Sequence, residues 1–165
     1  MQRRERIKVK ADQIIVWVSI TAGSQGDWEA ECPRFPAVLD TGSSFNFSIR
    51  ETHLRQWAGI DPRFLERLGF LRHLGWRLPR LDAELWLHKN KPGTRDLLSP
   101  STPNRLSSDN GIAIYPDDMP HAPRLPLLGL QTITQHRLHL SVDGERRLVS
   151  LRSRDWVTRL TKWLN

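Results

Sequence analysis

Hydrophobic and polar positions along this chain mostly alternate in short stretches, and clusters of turn-forming residues separate them. Ile14 to Ile20 is rich in β-branched residues and predicts a strand, ended by Thr21-Ala22-Gly23-Ser24-Gln25-Gly26 as a turn. Phe35 to Leu39 is a second apolar run that leads straight into Asp40-Thr41-Gly42-Ser43. From Leu81 to His88, Leu81, Ala83, Leu85 and Leu87 alternate with Asp82, Glu84, Trp86 and His88, the period of a half-buried strand. Gly111 to Tyr115 is a further short strand. Leu138, Leu140 and Val142 alternate with Arg137, His139 and Ser141, and Asp143-Gly144 supplies a hairpin turn before Leu148 to Leu151.

Two segments depart from this pattern. Lys89 to Asn110 is rich in Pro, Ser, Asn and Gly without periodicity, which predicts a long loop between strands. Trp156, Leu160, Trp163 and Leu164 recur at helical spacing, so Asp155 to Leu164 is expected as an amphipathic C-terminal helix. Short strands and turn clusters together predict one mostly β domain over residues 1–165, a small closed or half-closed barrel with one or two short helices.

Composition narrows the class. A chain of 165 residues can bury most of a core without staples, and its single cysteine, Cys32, allows no intrachain disulfide and no thiolate-rich zinc site. A reducing, cytoplasmic setting is expected. Arg3, Arg4, Arg6, Lys8 and Lys10 precede the apolar run Ile14 to Ile20, but Asp12 lies at its edge and no convincing small-x-small site follows, unlike a signal peptide. No stretch approaches the roughly 18 apolar residues that span a bilayer. The net charge of +7 brings an acidic partner such as nucleic acid into consideration. The basic residues are dispersed, however, with no RNP, zinc-finger or helix-turn-helix pattern. They read as a solvated basic surface.

The segment with the most specific chemistry is Phe35-Pro36-Ala37-Val38-Leu39-Asp40-Thr41-Gly42-Ser43-Ser44. Peptide hydrolysis by paired aspartates needs two carboxylates close enough to share one proton, because like charges about 3 Å apart do not both ionise cheaply. One carboxylate acts as base toward water while its protonated partner polarises the scissile carbonyl. A tight turn at the end of an apolar strand, with a glycine behind the carboxylate and hydroxyls around it, provides that setting.

In these residues the sequence resembles the retropepsin-like family of aspartic proteases. The resemblance implies that Asp40 is the catalytic aspartate and that the Thr41 hydroxyl bonds across to the partner subunit's loop. It also implies that Gly42 brings an N–H toward the carboxylate and that Ser43 can bond the outer carboxylate oxygen. The family's second signature, two apolar residues and a glycine leading into a short helix, is matched by Leu127-Leu128-Gly129, with Leu130-Gln131-Thr132-Ile133-Thr134-Gln135 after it. In that fold this strand packs beneath the active-site loop. The resemblance extends over about Ile14 to Leu151, leaving 152–165 as the helical extension. Leu130 and Gln131 stand where family members often carry charged residues.

The resemblance further implies an endopeptidase acting on polypeptide substrates as a homodimer, with one Asp40 from each chain and no metal or organic cofactor. A substrate-covering flap is expected between the two motifs, either in Leu68 to Arg77, with Gly69 and Gly75, or in the Lys89 to Asn110 loop. Two other readings stay open: a catalytically inactive peptide-binding or dimerisation module of the same fold, and a basic β-barrel that binds nucleic acid. The remaining candidates have simpler explanations. No Gly-x-Ser-x-Gly elbow surrounds Ser43 and Ser44. His136 and His139 fall in or beside a strand, where positions three apart face opposite sides. Asp117-Asp118 reads as a solvated loop, and Trp57, Trp76 and Trp86, among seven tryptophans, read as packing residues.

Overall fold

The computed structural model describes residues 12–23, 27–91, 98–107, 109–145, 148–152 and 157–161. The chain runs through β1 (Ile15–Ala22), β2 (Phe35–Asp40), β3 (Phe47–Arg50), α1 (Glu51–Trp57), a 3-10 turn (Pro62–Phe64), β4 (Arg67–His73), β5 (Trp76–Leu81), β6 (Ala83–His88) and β7 (Asn104–Leu106). It continues with β8 (Ile112–Tyr115), β9 (Leu127–Gly129), α2 (Leu130–Gln135), β10 (His139–Asp143), β11 (Leu148–Arg152) and β12 (Val157–Thr161). The mostly β class and the short helices follow the sequence pattern.

Nine strands form one mixed sheet in the order β4-β5-β8-β3-β9-β2-β1-β6-β7. The β2/β9 and β3/β8 pairs are parallel; the other pairs are antiparallel. Consecutive strands usually lie side by side. Here β2 and β3 are instead separated by β9, so the chain between them, residues 41–46, must straddle the end of β9. The aliphatic residues of the central strands explain the order: Val16, Val18, Ile20, Leu39, Ile49, Leu87 and Leu128 form one buried cluster. Val149 and Leu151 of the second sheet, β10-β11-β12, join the same cluster.

Four expectations are corrected. The sheet is open and does not close into a barrel, since β4 and β7 are its unpaired edges. Closure would need apolar surface on both edges, and β4 has no buried residue while β7 spans three residues. Within Lys89 to Asn110, Asn104–Leu106 is a strand on the β6 edge, anchored by buried Leu106. Of the expected helix Asp155 to Leu164, Val157–Thr161 is a strand paired antiparallel with β11. β-branched Val157, Thr158 and Thr161 favour extended backbone, and a helix of this length is marginal without a packed face. The rest of that segment lies outside the described residues. At the end of β5, Asp82 separates Leu81 from Ala83, so the expected single strand Leu81 to His88 is divided between β5 and β6.

Away from the main cluster, the adjacent strands β1 and β6 bury a polar pair. Ser19 Oγ and His88 Nε2 are 2.8 Å apart, and the two residues are 0% and 2% exposed. The Trp28 ring meets His88 edge-on at 6.0 Å, and the Arg34 guanidinium lies over Trp28. Burial, helped by the Arg34 charge, pushes the His88 imidazole down to about 4. A group whose folded-state value lies below its unfolded value of about 6.5 resists protonation on folding. Its cost is absent above that value and grows as pH falls toward 4.

Stability should therefore fall by roughly 2 kcal/mol between pH 7 and pH 5 through this residue. Urea midpoints measured across that range should flatten in His88→Gln, whose amide can still meet Ser19. An equally steep fall in His88→Gln would remove His88 as the cause.

Candidate active site

The buried run Phe35–Leu39 delivers Asp40, half-buried, to the C-terminal end of β2. The chain turns at once: the Ser43 N–H donates to Asp40 O at 3.2 Å, and the Gly42 N–H donates to Asp40 Oδ1 at 2.9 Å. Thr41 and Gly42 are exposed at the crest of this turn. Ser43 meets Asp40 through its backbone, and no hydrogen bond joins its hydroxyl to the carboxylate.

The second motif lies directly against the first. Asp40 is in register with Gly129 and Leu39 with Leu128. The Gly129 N–H donates to Asn46 O at 2.9 Å, the Leu130 N–H to Ser43 O at 2.8 Å, and the Thr132 hydroxyl to Asn46 O at 2.6 Å. Gly129 has no alternative here: a Cβ would sit 1.9 Å from Phe45 O and 2.9 Å from Ser43 O. Leu128 is fully buried below the loop, while Leu127 reaches the cavity above it.

The cover over the loop is the β4–β5 hairpin. Its two central turn residues, Leu74 and Gly75, have φ of 48° and 80°. Positive φ at both positions is the hairpin turn that matches strand twist, easy for glycine and uncommon for leucine. Leu71 and Trp76 pack on Leu78, Tyr115 and Met119, which fixes the hairpin above the site. His73 stands at its tip with ring centroids 5.3 Å from Phe45 and 6.0 Å from Tyr115.

Loop, hairpin and the segment after β8 enclose a cavity of ≈ 250 Å³. Asp40, Ser43, Ser44 and Phe45 form its floor, His73 and Leu74 its roof, and Tyr115, Met119, His121 and Pro123 its wall. Arg50 holds that wall, donating from Nε to Pro123 O at 3.0 Å and from Nη2 to Ala122 O at 2.6 Å. The Tyr115 phenol is pushed up by burial; the nearby Ser48 hydroxyl opposes this, and the Asp40 charge adds to it. Asp40 is the one carboxylate on the cavity surface. It can accept a proton from water or orient a polar group, and among the described residues no second carboxylate lines the cavity with which it could share a proton.

All the residues of both motifs thus converge on one loop–strand junction. Tyr115, His73, Leu74, Met119 and His121 are site residues that sequence reasoning did not single out; only the Leu68 to Arg77 stretch carried a signal, through its glycines. Trp57 stacks on His53 and Trp86 bonds Thr21, so both serve packing, as expected. Asp117 is more than a solvated acid: its Oδ1 accepts the Thr52 N–H at 3.0 Å. Burial alone would raise its carboxyl, but the bonds from Thr52 and the charges of Arg55 and Arg50 hold it below the usual range. His136 bonds Ser107 O, and no group of three or more His, Cys, Asp or Glu suited to a metal occurs among the described residues. No helix among the described residues is long and apolar enough to cross a membrane.

Compared with models of known protein families and with curated proteins, the chain matches none.

Thr132 is 3% exposed, so removing its hydroxyl leaves Asn46 O with one donor fewer in a buried setting. Thr132→Val should cost about 1–2 kcal/mol and lower Tm by roughly 3–6 °C. Calorimetry on the purified variant measures this; an unchanged Tm would show that the bond contributes nothing to the junction.

Proposed function

We propose that the chain is an aspartic endopeptidase of the retropepsin-like class, active as a homodimer that supplies one Asp40 from each copy. The observation that carries this reading is the geometry around Asp40. Its carboxylate is held by the Gly42 N–H on a loop laced to the Gly129 turn, under a hairpin whose tip lines the same cavity of ≈ 250 Å³. The lone carboxylate supports the dimer: a C₂ axis beside the loop would bring the same group from a second copy, and exposed Thr41 is available to bond across that axis.

In this reading an extended polypeptide lies between the loop and the hairpin. The ionised Asp40 takes a proton from a water molecule as its oxygen attacks the scissile carbonyl. The protonated Asp40 of the other copy donates to the carbonyl oxygen, and the tetrahedral intermediate collapses as the amide nitrogen gains a proton. Phe45, Leu74, Met119 and Leu127 give the cleft apolar walls, which suits apolar side chains beside the scissile bond. The reaction needs no cofactor.

Asp40→Asn should keep fold and assembly while lowering kcat/KM on a peptide library by about a thousandfold or more. In the wild type, activity should fall as rising pH removes the shared proton, and specific activity should drop on dilution together with the dimer seen by sedimentation. Cleavage by Asp40→Asn at the wild-type rate, or a fully active monomer, would end the proposal.

Leu74 holds a left-handed backbone conformation and is 78% exposed, although it is apolar. Such strain costs about 1–2 kcal/mol and persists where the side chain is used. Leu74→Asn should therefore leave stability unchanged or raised by up to about 1 kcal/mol, while raising KM about tenfold through loss of an apolar contact. Unfolding midpoints and steady-state kinetics separate the two effects, and an unaltered KM would take Leu74 out of substrate binding.

A further inference from the structure

The β4–β5 hairpin has two chemically opposed faces. Leu71, Trp76 and Leu78 pack toward the cavity side. On the other face the register sets Phe70 opposite Pro79 and Arg72 opposite Arg77. The Arg77 guanidinium lies over the Phe70 ring at 4.3 Å from its centroid, and that of Arg67 at 5.2 Å. From Arg67 to Leu81 the sequence holds Arg67, Arg72, Arg77 and Arg80 and no Asp or Glu. Arg80 turns inward to Asn110 Oδ1 and Leu68 O. The other three arginines are exposed, and none forms an ion pair with a carboxylate among the described residues.

Like charges directly opposite one another weaken a strand pair, so Arg72 and Arg77 oppose the hairpin they sit on. Charge does protect sheet edges from aggregation. Protection alone does not call for arginines gathered around a phenyl ring that is itself 42% exposed. The free edge adds a second feature: β4 has no strand on its outer side among the described residues, and no β4 residue is buried. An exposed strand edge offers N–H and C=O groups to an added strand.

We propose that the outer edge and face of β4 form a docking site for an extended acidic polypeptide segment, separate from the Asp40 cavity. The segment's backbone pairs with β4, and carboxylates at alternate positions meet Arg67, Arg72 and Arg77. A side chain recurs on the same face of a strand about every 6.6 Å, the repeat that also spaces Phe70 and Arg72. Polypeptide fits this surface better than single-stranded nucleic acid for two reasons. The edge presents backbone partners that bases do not need, and the Phe70 ring, which would have to stack on a base, is occupied by two guanidinium groups. The site does not depend on Asp40 and stands apart from the catalytic reading.

The test is fluorescence anisotropy of the full chain with three labelled probes: an alternating Glu/Val peptide, its Lys/Val counterpart and a single-stranded oligonucleotide of equal charge to the first. The Glu/Val peptide should bind at least about tenfold tighter than the Lys/Val peptide and the oligonucleotide, and more weakly as salt rises. Arg72→Glu with Arg77→Glu, folded by circular dichroism, should lose about tenfold or more of that affinity, whereas Asp40→Asn should retain it. N-methylation of alternate residues in the Glu/Val peptide should also weaken binding about tenfold, because it removes donors without changing charge. Preference for the oligonucleotide, equal binding of the two peptides, indifference to the arginine reversal or indifference to N-methylation would each overturn the proposal. Loss of cleavage in Asp40→Asn with binding retained keeps the catalytic reading separately testable.

Discussion

Insertion of β9 between β2 and β3 is the constraint on which the site depends. It forces residues 41–46 to cross the end of β9, where backbone groups of the crossing loop would otherwise lose water without gaining partners. The Gly129 and Leu130 N–H groups and the Thr132 hydroxyl supply those partners, at Asn46 O and Ser43 O. Close approach is possible because residue 129 has no side chain. The loop is thereby held from below along its length, and the Asp40 carboxylate, bonded to the Gly42 N–H, inherits that fixed position. Strands packed around Leu39, Ile49 and Leu128 support that platform, as the proposed catalytic role of Asp40 would require.

The hairpin of β4 and β5 is joined to the sheet through β5 and β8 and packs on Tyr115 and Met119 by way of Leu71, Trp76 and Leu78. Its tip, with Leu74 and Gly75, extends over the cavity, and His73 beside it meets the Phe45 and Tyr115 rings. The outer face of the same hairpin, with its unpaired arginines, gives the cover a second chemistry that the cavity side lacks.

Much of the floor was legible in the sequence, and little of the roof. Asp40-Thr41-Gly42-Ser43 and Leu127-Leu128-Gly129 are local patterns whose residue types follow from tight turns and close approach, so their neighbours in the chain suffice to identify them. Their juxtaposition could be expected only through the family resemblance, because a parallel pairing between residues 38–40 and 127–129 leaves no local trace. Leu68 to Arg77, with Gly75, was one of the two stretches expected to cover the site, but the place of the turn was not marked because leucine at position 74 is a poor sign of left-handed backbone. Tyr115 and Met119 read as ordinary apolar positions until the sheet brings them to the cavity. At the other end of the chain, helical spacing of Trp156 and Leu160 was overridden at Val157–Thr161 by pairing with β11, a tertiary effect that periodicity does not register. The open sheet, too, is decided by the edges β4 and β7 rather than by any strand's own pattern.

In the proposed dimer two chains share one site, and inhibitor stoichiometry reads that out. Titration of a statine-type transition-state mimic into the protein at acidic pH, followed by calorimetry, counts binding sites per chain without relying on a known substrate. A shared site should saturate at one inhibitor molecule per pair of chains. Saturation at one molecule per single chain, or no binding to a folded dimer, would contradict it.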